Sequence, residues 1–182
     1  MLAHKGTKTI DTKRLSLRRF RLEDAQAMFD NWASDEQVTK YLTWPPHTDL
    51  DTSRYVIQSW IVGYEKPETY QWAITLRDDD IPIGSISVVS HDDRVGKMEI
   101  GYCIGRPWWH QGIMTEALEA VMSFLFREVG AKRIEAAHDV NNPNSGAVMV
   151  KCGMRFEGIL RRSGHNNQGI CDICWYAAIR DE

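Results

Sequence analysis

The residues most suggestive of chemistry lie where a tryptophan-rich loop meets a helix, in RPWWHQGIMTEALEAVMSFLF at residues 106–126. From Ile113 onward the apolar residues recur at helical spacing, and Gly130 closes the pattern. A helix that begins just after Gly112 presents free N–H groups and the positive end of its dipole, which suits an anion such as a phosphate. The alternative interpretation is a loop that only connects a strand to a core helix.

The segment before this loop, KMEIGYCIG at residues 97–105, alternates strictly and therefore predicts a β-strand. The apolar side chains share one face of the strand: Met98, Ile100, Tyr102 and Ile104. The other face carries Glu99, Gly101 and Cys103. A carboxylate, a missing side chain and a small thiol are unusual together in a protein core.

Two further motifs invite a chemical interpretation. NNPNSG, residues 141–146, contains turn and cap residues that commonly precede a helix. CDIC, residues 171–174, has the spacing of a redox or zinc motif, but it lies in CDICWYAAI, whose alternation predicts a strand. We therefore expect buried or half-buried thiols and no metal site. The four cysteines concerned are Cys103, Cys152, Cys171 and Cys174.

The elements that must position these residues follow from hydrophobic periodicity and turn signals. Strands are predicted at 14–20, 71–76, 81–89, 97–105, 133–140, 155–162 and 171–179, and helices at 23–33, 48–64, 112–129 and 145–152. Thr48 and Asp51 form a candidate capping box, Gly84 a candidate bulge, and residues 163–169 a hairpin loop. The order β-α-α-β-β-β-α-β-α-β-β predicts an α+β protein with a mixed, mostly antiparallel sheet of about seven strands and one central β-α-β crossover.

Composition limits the function classes. The chain has 182 residues, of which 43% are hydrophobic, so residues 1–182 are expected to form one domain. A net charge of −3 argues against a nucleic-acid partner, and TKRLSLRRF predicts a strand with a solvated basic face. No apolar run approaches the roughly 18 residues of a membrane span, and the N-terminus lacks a signal-peptide core. We therefore expect a cytoplasmic protein without a membrane partner.

Five segments, in this order, resemble the N-acetyltransferases of the GNAT superfamily, specifically the RimJ/RimL branch, from Thr12 to Arg180. They are TKRLSLRRF, EIGYCIG, WWHQGIMTEAL, NNPNSGAVMVKCGMRFEG and CDICWYAAI. The resemblance implies the GNAT fold, in which two splayed strands form a V-shaped cleft for acetyl-CoA. It implies coenzyme contacts from Tyr102, Cys103, Ile104, His110, Gln111, Gly112, Ile113, Met114, Thr115, Asn142 and Ser145.

The loop departs from the family pattern at one informative position. The pattern is Gln or Arg, two residues, Gly, one residue, then Gly or Ala, and here it falls on Pro107, His110 and Gly112. His110 must either tolerate the backbone conformation of a glycine or reshape the loop. Adjacent side chains of an extended segment point in opposite directions, so one of Trp108 and Trp109 should pack under the loop and the other should be exposed.

The resemblance also implies an acetyl transfer by direct attack of an amine in a ternary complex, with no metal and no covalent intermediate. Ser145 is the candidate acid at the leaving sulfur, with Tyr176 as a rival, and Glu99 is the candidate base, with His165 as a secondary candidate. Backbone N–H groups of residues 102–104 are expected to stabilise the oxyanion. Cys103 as a nucleophile would need a lowered pKa that no neighbouring residue in the sequence supplies.

The acceptor is less defined than the coenzyme. Relatives in this branch modify protein N-termini, including those of ribosomal proteins, while similar sequences acetylate small amines or antibiotics. The acceptor wall is expected from residues 41–60, including Trp44 and Trp60, and from the last hairpin. A non-catalytic acyl-CoA-binding module is the alternative, and the protein could be a monomer or a homodimer.

Overall fold

In the computed structural model, which describes residues 2–180, a single mixed sheet of eight strands runs through the molecule in the order β1-β2-β3-β4-β5-β6-β8-β7. The strands are β1 (Ile10–Asp11), β2 (Leu15–Arg18), β3 (Gln71–Leu76), β4 (Asp79–Asp92), β5 (Lys97–Ile104), β6 (Arg133–Asp139), β7 (Arg155–Asn166) and β8 (Gly169–Ile179). All neighbours pair antiparallel except β5 and β6, which are parallel and joined by the one crossover. The predicted α+β class and mixed sheet are confirmed, with β1 as an additional short strand.

Five α-helices flank the sheet. They are α1 (Ala25–Met28), α2 (Glu36–Thr39), α3 (Leu50–Gly63), α4 (Ile113–Phe124) and α5 (Pro143–Lys151). A 3-10 turn at Leu22–Asp24 and a π turn at Phe29–Ala33 extend α1, and a π turn at Leu125–Val129 extends α4 to Gly130. Within residues 2–180, none of the helices is both long and apolar enough to span a membrane.

The two faces of the sheet carry separate hydrophobic clusters. On one face, α4 and the π turn that extends it bury Leu118, Val121 and Leu125 against the sheet. This is the face to which the apolar side chains of β5 point, as their alternation predicted. On the other face, α1 and α3 bury a second cluster that includes Trp32 and Ile57. The functional residues must therefore lie where these two packed layers leave an opening.

That opening is a gap within the sheet, between β5 and β6. The two strands pair at only three positions, Lys97 with Arg133, Met98 with Ile134 and Glu99 with Glu135. From residue 100 onward β5 pairs with β4 alone, while β6 continues along β8 to its end. The splayed strands that the family resemblance implied are confirmed.

A β-bulge lies at the point where the strands part. Opposite β5, the register of β4 skips Val89, because Val88 pairs with Ile100 and Ser90 pairs with Glu99. A bulge bends the strand that carries the extra residue and increases its twist, so β4 bends opposite the residues where β5 parts from β6. Gly101 makes room for the bulged residue, because a Cβ atom there would lie 2.8 Å from Val89 Cγ1.

Several local predictions needed adjustment. Helix α3 is capped by Asp49, which accepts from the Thr52 N–H at 2.7 Å, rather than by a box that starts at Thr48. The predicted loop at 163–169 is almost entirely strand, and the turn lies at residues 167–168, where Gly169 supplies the positive φ of 99°.

The predicted solvated basic face of β2 is wrong at Arg18. Its guanidinium is buried and donates to both carboxylate oxygens of Asp24, at 2.8 and 2.9 Å, and to Asp80. Strand periodicity places a residue on a face, but it cannot show that carboxylates from distant segments cover that face.

Candidate active site

Two cavities meet at the gap between β5 and β6. The first, which we call the α4 cavity, has a volume of about 280 Å³ and lies against the N-terminus of α4. The second, the α3 cavity, has a volume of about 630 Å³ and lies on the opposite face of the sheet, beside α3. The lining residues that the two share lie at the gap and in the loop over it: Tyr41, Leu42, Tyr102, Cys103, Asn142 and Ser145. The arrangement can bring together two ligands that enter from opposite faces.

The N-terminus of α4 forms the floor of the α4 cavity. Gly112 is the N-cap with φ 72° and ψ 7°, and the first intrahelical bond runs from the Glu116 N–H to the Gly112 carbonyl at 3.1 Å. The N–H groups of residues 113–115 therefore precede the helical ladder and can bind an anion. His110 has φ 60°, so the histidine tolerates the left-handed conformation.

Hydrogen bonds from the segment between β1 and β2 hold this loop in place. Arg14 donates to the Gln111 carbonyl at 2.9 Å and to the Glu116 carboxylate at 2.6 Å. Thr12 donates to the same carboxylate at 2.7 Å. Burial acts to raise the pKa of Glu116, but these donors outweigh it and lower the pKa, so the carboxylate is charged. Sequence reasoning missed Arg14, because its contacts lie about a hundred residues away.

Most of the predicted coenzyme residues line the α4 cavity. These are Tyr102, Cys103, Ile104, His110, Gly112, Ile113, Met114, Thr115, Asn142 and Ser145. Gln111 lies outside the lining, where its side chain donates to the Pro107 carbonyl. Lys151, at the end of α5, adds a cation to the lining that sequence reasoning did not single out.

The loop tryptophans behave as the sequence predicted. Trp108 is partly buried and packs against the core cluster under α4, whereas Trp109 is 37% exposed. The Trp109 indole N–H donates to the Ile104 carbonyl at 2.8 Å and so fixes the loop to the end of β5.

Tyr102 and Ser145 form a hydrogen-bonded pair at the junction of the cavities. The Tyr102 hydroxyl donates to the Ser145 backbone carbonyl at 2.9 Å, and the Ser145 hydroxyl donates to the Tyr102 oxygen at 3.1 Å. Burial raises the pKa of Tyr102 well above its usual range, although the hydrogen bond from Ser145 opposes this shift. Tyr102 is therefore a protonated donor at neutral pH. The pairing, across 43 residues of sequence, was not predicted.

Glu99 lines the α3 cavity on the face of β5 that carries Gly101 and Cys103. Its carboxylate accepts a hydrogen bond from the Ser90 hydroxyl at 2.8 Å and is partly exposed. The structure thus places the predicted base on the same side of the gap as the larger cavity. Burial raises the pKa of the Cys103 thiol, which argues against a thiolate nucleophile at that position.

His47 is a second candidate base that sequence reasoning missed. It is buried, lines the α3 cavity, and its Nδ1 lies 2.8 Å from the Ser53 hydroxyl. Burial lowers the pKa of His47, with Asp49 opposing this, so the imidazole is neutral at pH 7. The available signal was the histidine directly after WPP in the segment expected to form the acceptor wall.

The remaining predicted side chains are not brought to the gap. His165 lies on β7 near the tip of the last hairpin, and Tyr176 lies on β8, where it stacks on His138 at 5.5 Å. Neither belongs to the lining of the α4 or the α3 cavity. The last hairpin does contact the segment expected to form the acceptor wall, because Asn167 donates to the carbonyls of Thr39 and Trp44, both at 2.8 Å.

The walls of the α3 cavity are aromatic, with two carboxylates. Tyr41, Trp32, Trp44 and Trp60 contribute rings, and Glu99 and Asp139 contribute acids. Hydrogen bonds from Asn141 and Asn166 lower the pKa of Asp139 against the effect of burial. Among residues 2–180, two buried side-chain polar atoms have no hydrogen-bond partner, Trp32 Nε1 and His138 Nε2, and both side chains line this cavity. Such atoms commonly mark a position for water or a ligand.

Comparison with known proteins agrees with this geometry. The family described as "Acetyltransferase (GNAT) domain" matches residues 14–155. A Bacillus licheniformis protein named as the uncharacterized N-acetyltransferase p20 is 30% identical over 174 residues, which cover 96% of this chain and 97% of that protein. The ribosomal-protein-serine acetyltransferase of Escherichia coli (strain K12) is 25% identical over 141 residues, covering 77% of this chain and 78% of that enzyme.

A solved structure shows the same fold. RimL, a ribosomal L7/L12 alpha-N-protein acetyltransferase in complex with coenzyme A, matches with a TM-score of 0.85 at 22% sequence identity and covers 96% of this chain and 99% of that one. The matched domain spans the gap, the α4 N-terminus and all of α5. Together, the domain match and the splayed sheet show that the chain belongs to the GNAT family of acetyltransferases.

Proposed function

We propose that the protein transfers the acetyl group of acetyl-CoA to the α-amine of a protein N-terminus, by direct attack in a ternary complex. The observation that carries the proposal is the meeting of two cavities at Tyr102 and Ser145, one against a helix N-terminus and one with an aromatic, acidic wall. The relative that acts on ribosomal-protein serine supports the acceptor class.

Acetyl-CoA is assigned to the α4 cavity. The free N–H groups of residues 113–115 suit the pyrophosphate, and Lys151 adds a positive charge. In a strand that is bonded to one neighbour only, every second residue turns its N–H and C=O toward the open side. The free edge of β5 from residue 100 onward can therefore pair with the amides of the pantetheine arm, which brings the thioester to Ser145.

The chemical step then needs a neutral amine, a stabilised oxyanion and a proton for the thiolate. The amine nitrogen attacks the thioester carbonyl carbon and gives its proton to a base, for which Glu99 is our first choice and His47 our second. A backbone N–H of residues 102–104 that faces the gap stabilises the oxyanion. When the carbon–sulfur bond breaks, the Ser145 hydroxyl turns from the Tyr102 oxygen and gives its proton to the leaving thiolate. The Tyr102 hydroxyl then returns a proton to the serine oxygen and regains its own from water.

An N-terminal α-amine suits a site with a modest base. Its pKa of about 7.7–8.0 leaves roughly a tenth of it neutral at pH 7, whereas a lysine amine with a pKa of about 10.4 is neutral in less than one molecule in a thousand. A small cationic amine is the second candidate, because the rings and carboxylates of the α3 cavity could hold a compact cation.

The test is acetyl-CoA turnover with matched acceptors. Coenzyme A release and mass spectrometry compare three sets of acceptors. They are peptides that begin with Ser or Ala, the same peptides with an acetylated N-terminus and an internal Lys, and a panel of small amines. We expect one acetyl group on the free N-terminus and none on the blocked peptide. Modification of small amines alone would replace the peptide assignment, and turnover without any amine would contradict amine transfer.

A further inference from the structure

Outside the cleft, the N-terminal segment passes over the end of the sheet from which β5 starts. Leu2 is buried in the core, the Ala3 N–H donates to the Val129 carbonyl at 2.8 Å, and the Gly6 N–H donates to the Pro67 carbonyl at 2.7 Å. These contacts hold His4 against the turn between β4 and β5. None of the residues discussed below lines the α3 or the α4 cavity.

Three metal-ligand side chains converge at this turn. His4 Nε2 lies 3.2 Å from Asp93 Oδ1 and 3.3 Å from Oδ2, and His91 Nδ1 lies 2.8 Å from Oδ1. One ligand atom from each residue lies within 4.8 Å of the others. In a tetrahedral zinc site with bonds of about 2.0–2.1 Å, neighbouring ligand atoms are about 3.3 Å apart. The three atoms are thus close to the spacing that a single ion requires.

The His4 ring is fixed by the core behind it. Its Nδ1 lies 3.1 Å from the Tyr70 hydroxyl, which also accepts from the Lys5 backbone N–H at 3.1 Å. Tyr70 is buried and stacks on Trp72, with ring centroids 5.8 Å apart. A partner on the second ring nitrogen of a histidine is the usual outer support of a metal ligand, since it sets the tautomer and the ring orientation.

The donor set and its exposure define the kind of site. Two imidazole nitrogens and one carboxylate oxygen suit Zn²⁺ and leave a fourth position for water. The side chains of His4, His91 and Asp93 are 13%, 32% and 43% exposed, so one side of the cluster is open to solvent. We propose that His4, His91 and Asp93 bind a Zn²⁺ ion that fastens the N-terminal segment to the turn between β4 and β5.

The experiment uses the full-length protein without an affinity tag, because a polyhistidine tag would itself bind zinc. After treatment with a chelator, the protein is titrated with Zn²⁺ against a chromophoric competitor. We expect one ion per chain, and at least tenfold weaker binding in each of His4→Ala, His91→Ala and Asp93→Asn. The conservative Tyr70→Phe should weaken binding about 10–100-fold, as outer-shell changes do. His165→Ala removes an exposed histidine elsewhere and should leave zinc affinity unchanged.

Two readouts keep the test independent of the folding of the variants. Co²⁺ bound to the wild-type protein should give the visible absorption of a tetrahedral N/O site, and Zn²⁺ should raise the Tm of the wild type but not that of Asp93→Asn. Zinc that stays bound in all three ligand variants lies elsewhere and overturns the proposal. Absence of stoichiometric binding to the wild type also overturns it.

Discussion

Removal of the Ser145 hydroxyl is the sharpest test of the proposed chemistry. Ser145→Ala deletes the donor to the Tyr102 oxygen at 3.1 Å, but it keeps the backbone carbonyl that accepts from Tyr102 at 2.9 Å. The N-terminal turn of α5 therefore stays attached to β5. We expect little change in acetyl-CoA affinity and a loss of stability of about 0.5–1.5 kcal/mol, the usual contribution of one hydrogen bond.

The expected effect on the chemical step is much larger. Protonation of a leaving group by a positioned acid contributes about 10²–10⁴-fold, which is about 2.7–5.4 kcal/mol at 1.36 kcal/mol per factor of ten. This range lies above the contribution of a structural hydrogen bond. A loss of kcat within it, with acetyl-CoA affinity nearly unchanged, would indicate an interaction that forms as charge develops on sulfur.

The assay is single-turnover formation of coenzyme A, which separates chemistry from product release. Tyr102→Phe removes the partner hydroxyl, and the double variant measures whether the two hydroxyls act as one unit, in which case their effects are not additive. Ser163→Ala is the matched control, since that hydroxyl donates to the Leu160 carbonyl on the last hairpin. If Ser145→Ala loses less than about tenfold in the chemical step, the acid lies elsewhere and the reasoning fails.

Four other predictions concern the loop, the base, a buried imidazole and a buried cation. Gly112→Val should weaken acetyl-CoA binding by calorimetry, because φ 72° strains a β-branched residue, while His110→Gly, at φ 60°, should preserve binding. Glu99→Gln should slow transfer most at low pH and recover as the pH rises, because more amine is then neutral; a constant deficit across the pH–rate profile would exclude Glu99 as the base. Burial lowers the pKa of His47, so as the pH drops below about 6.5 the unfolded chain binds a proton before the folded chain does. The free energy of unfolding should therefore fall in this range. Urea unfolding of His47→Gln should show a smaller fall, because the contribution of His47 is then missing. Arg18→Met should lower the free energy of unfolding by about 3–5 kcal/mol, because it leaves a buried carboxylate unpaired.

The parts of the fold that the sequence predicted are those set by local patterns. The alternation of residues 97–105 correctly assigned the apolar face of β5, and the glycine before Ile113 correctly located the start of α4. Both are properties of a short window, because side-chain direction in strands and helices follows from backbone period alone. The family resemblance added the splay of β5 from β6, which no local pattern carries.

The parts that were missed depend on contacts between distant segments. Arg18 is buried because Asp80 meets it across 62 residues, and Tyr102 acts as a donor because Ser145 reaches it from α5. The approach of His47 to the cleft depends on the folding of the loop before α3. The type of a residue suggests what chemistry it can do, but tertiary packing decides which partner it meets.

The gap between β5 and β6 has a consequence for aggregation as well as for ligand binding. Where the two strands part, each has an unpaired edge, and such an edge in an open sheet would invite intermolecular pairing and aggregation. Here those edges lie inside the molecule, beneath a loop that contributes Tyr41 and Leu42 and beside α5, which contributes Ser145. Covered in this way, these backbone groups are shielded from the strands of another copy, which would need an exposed edge to pair with.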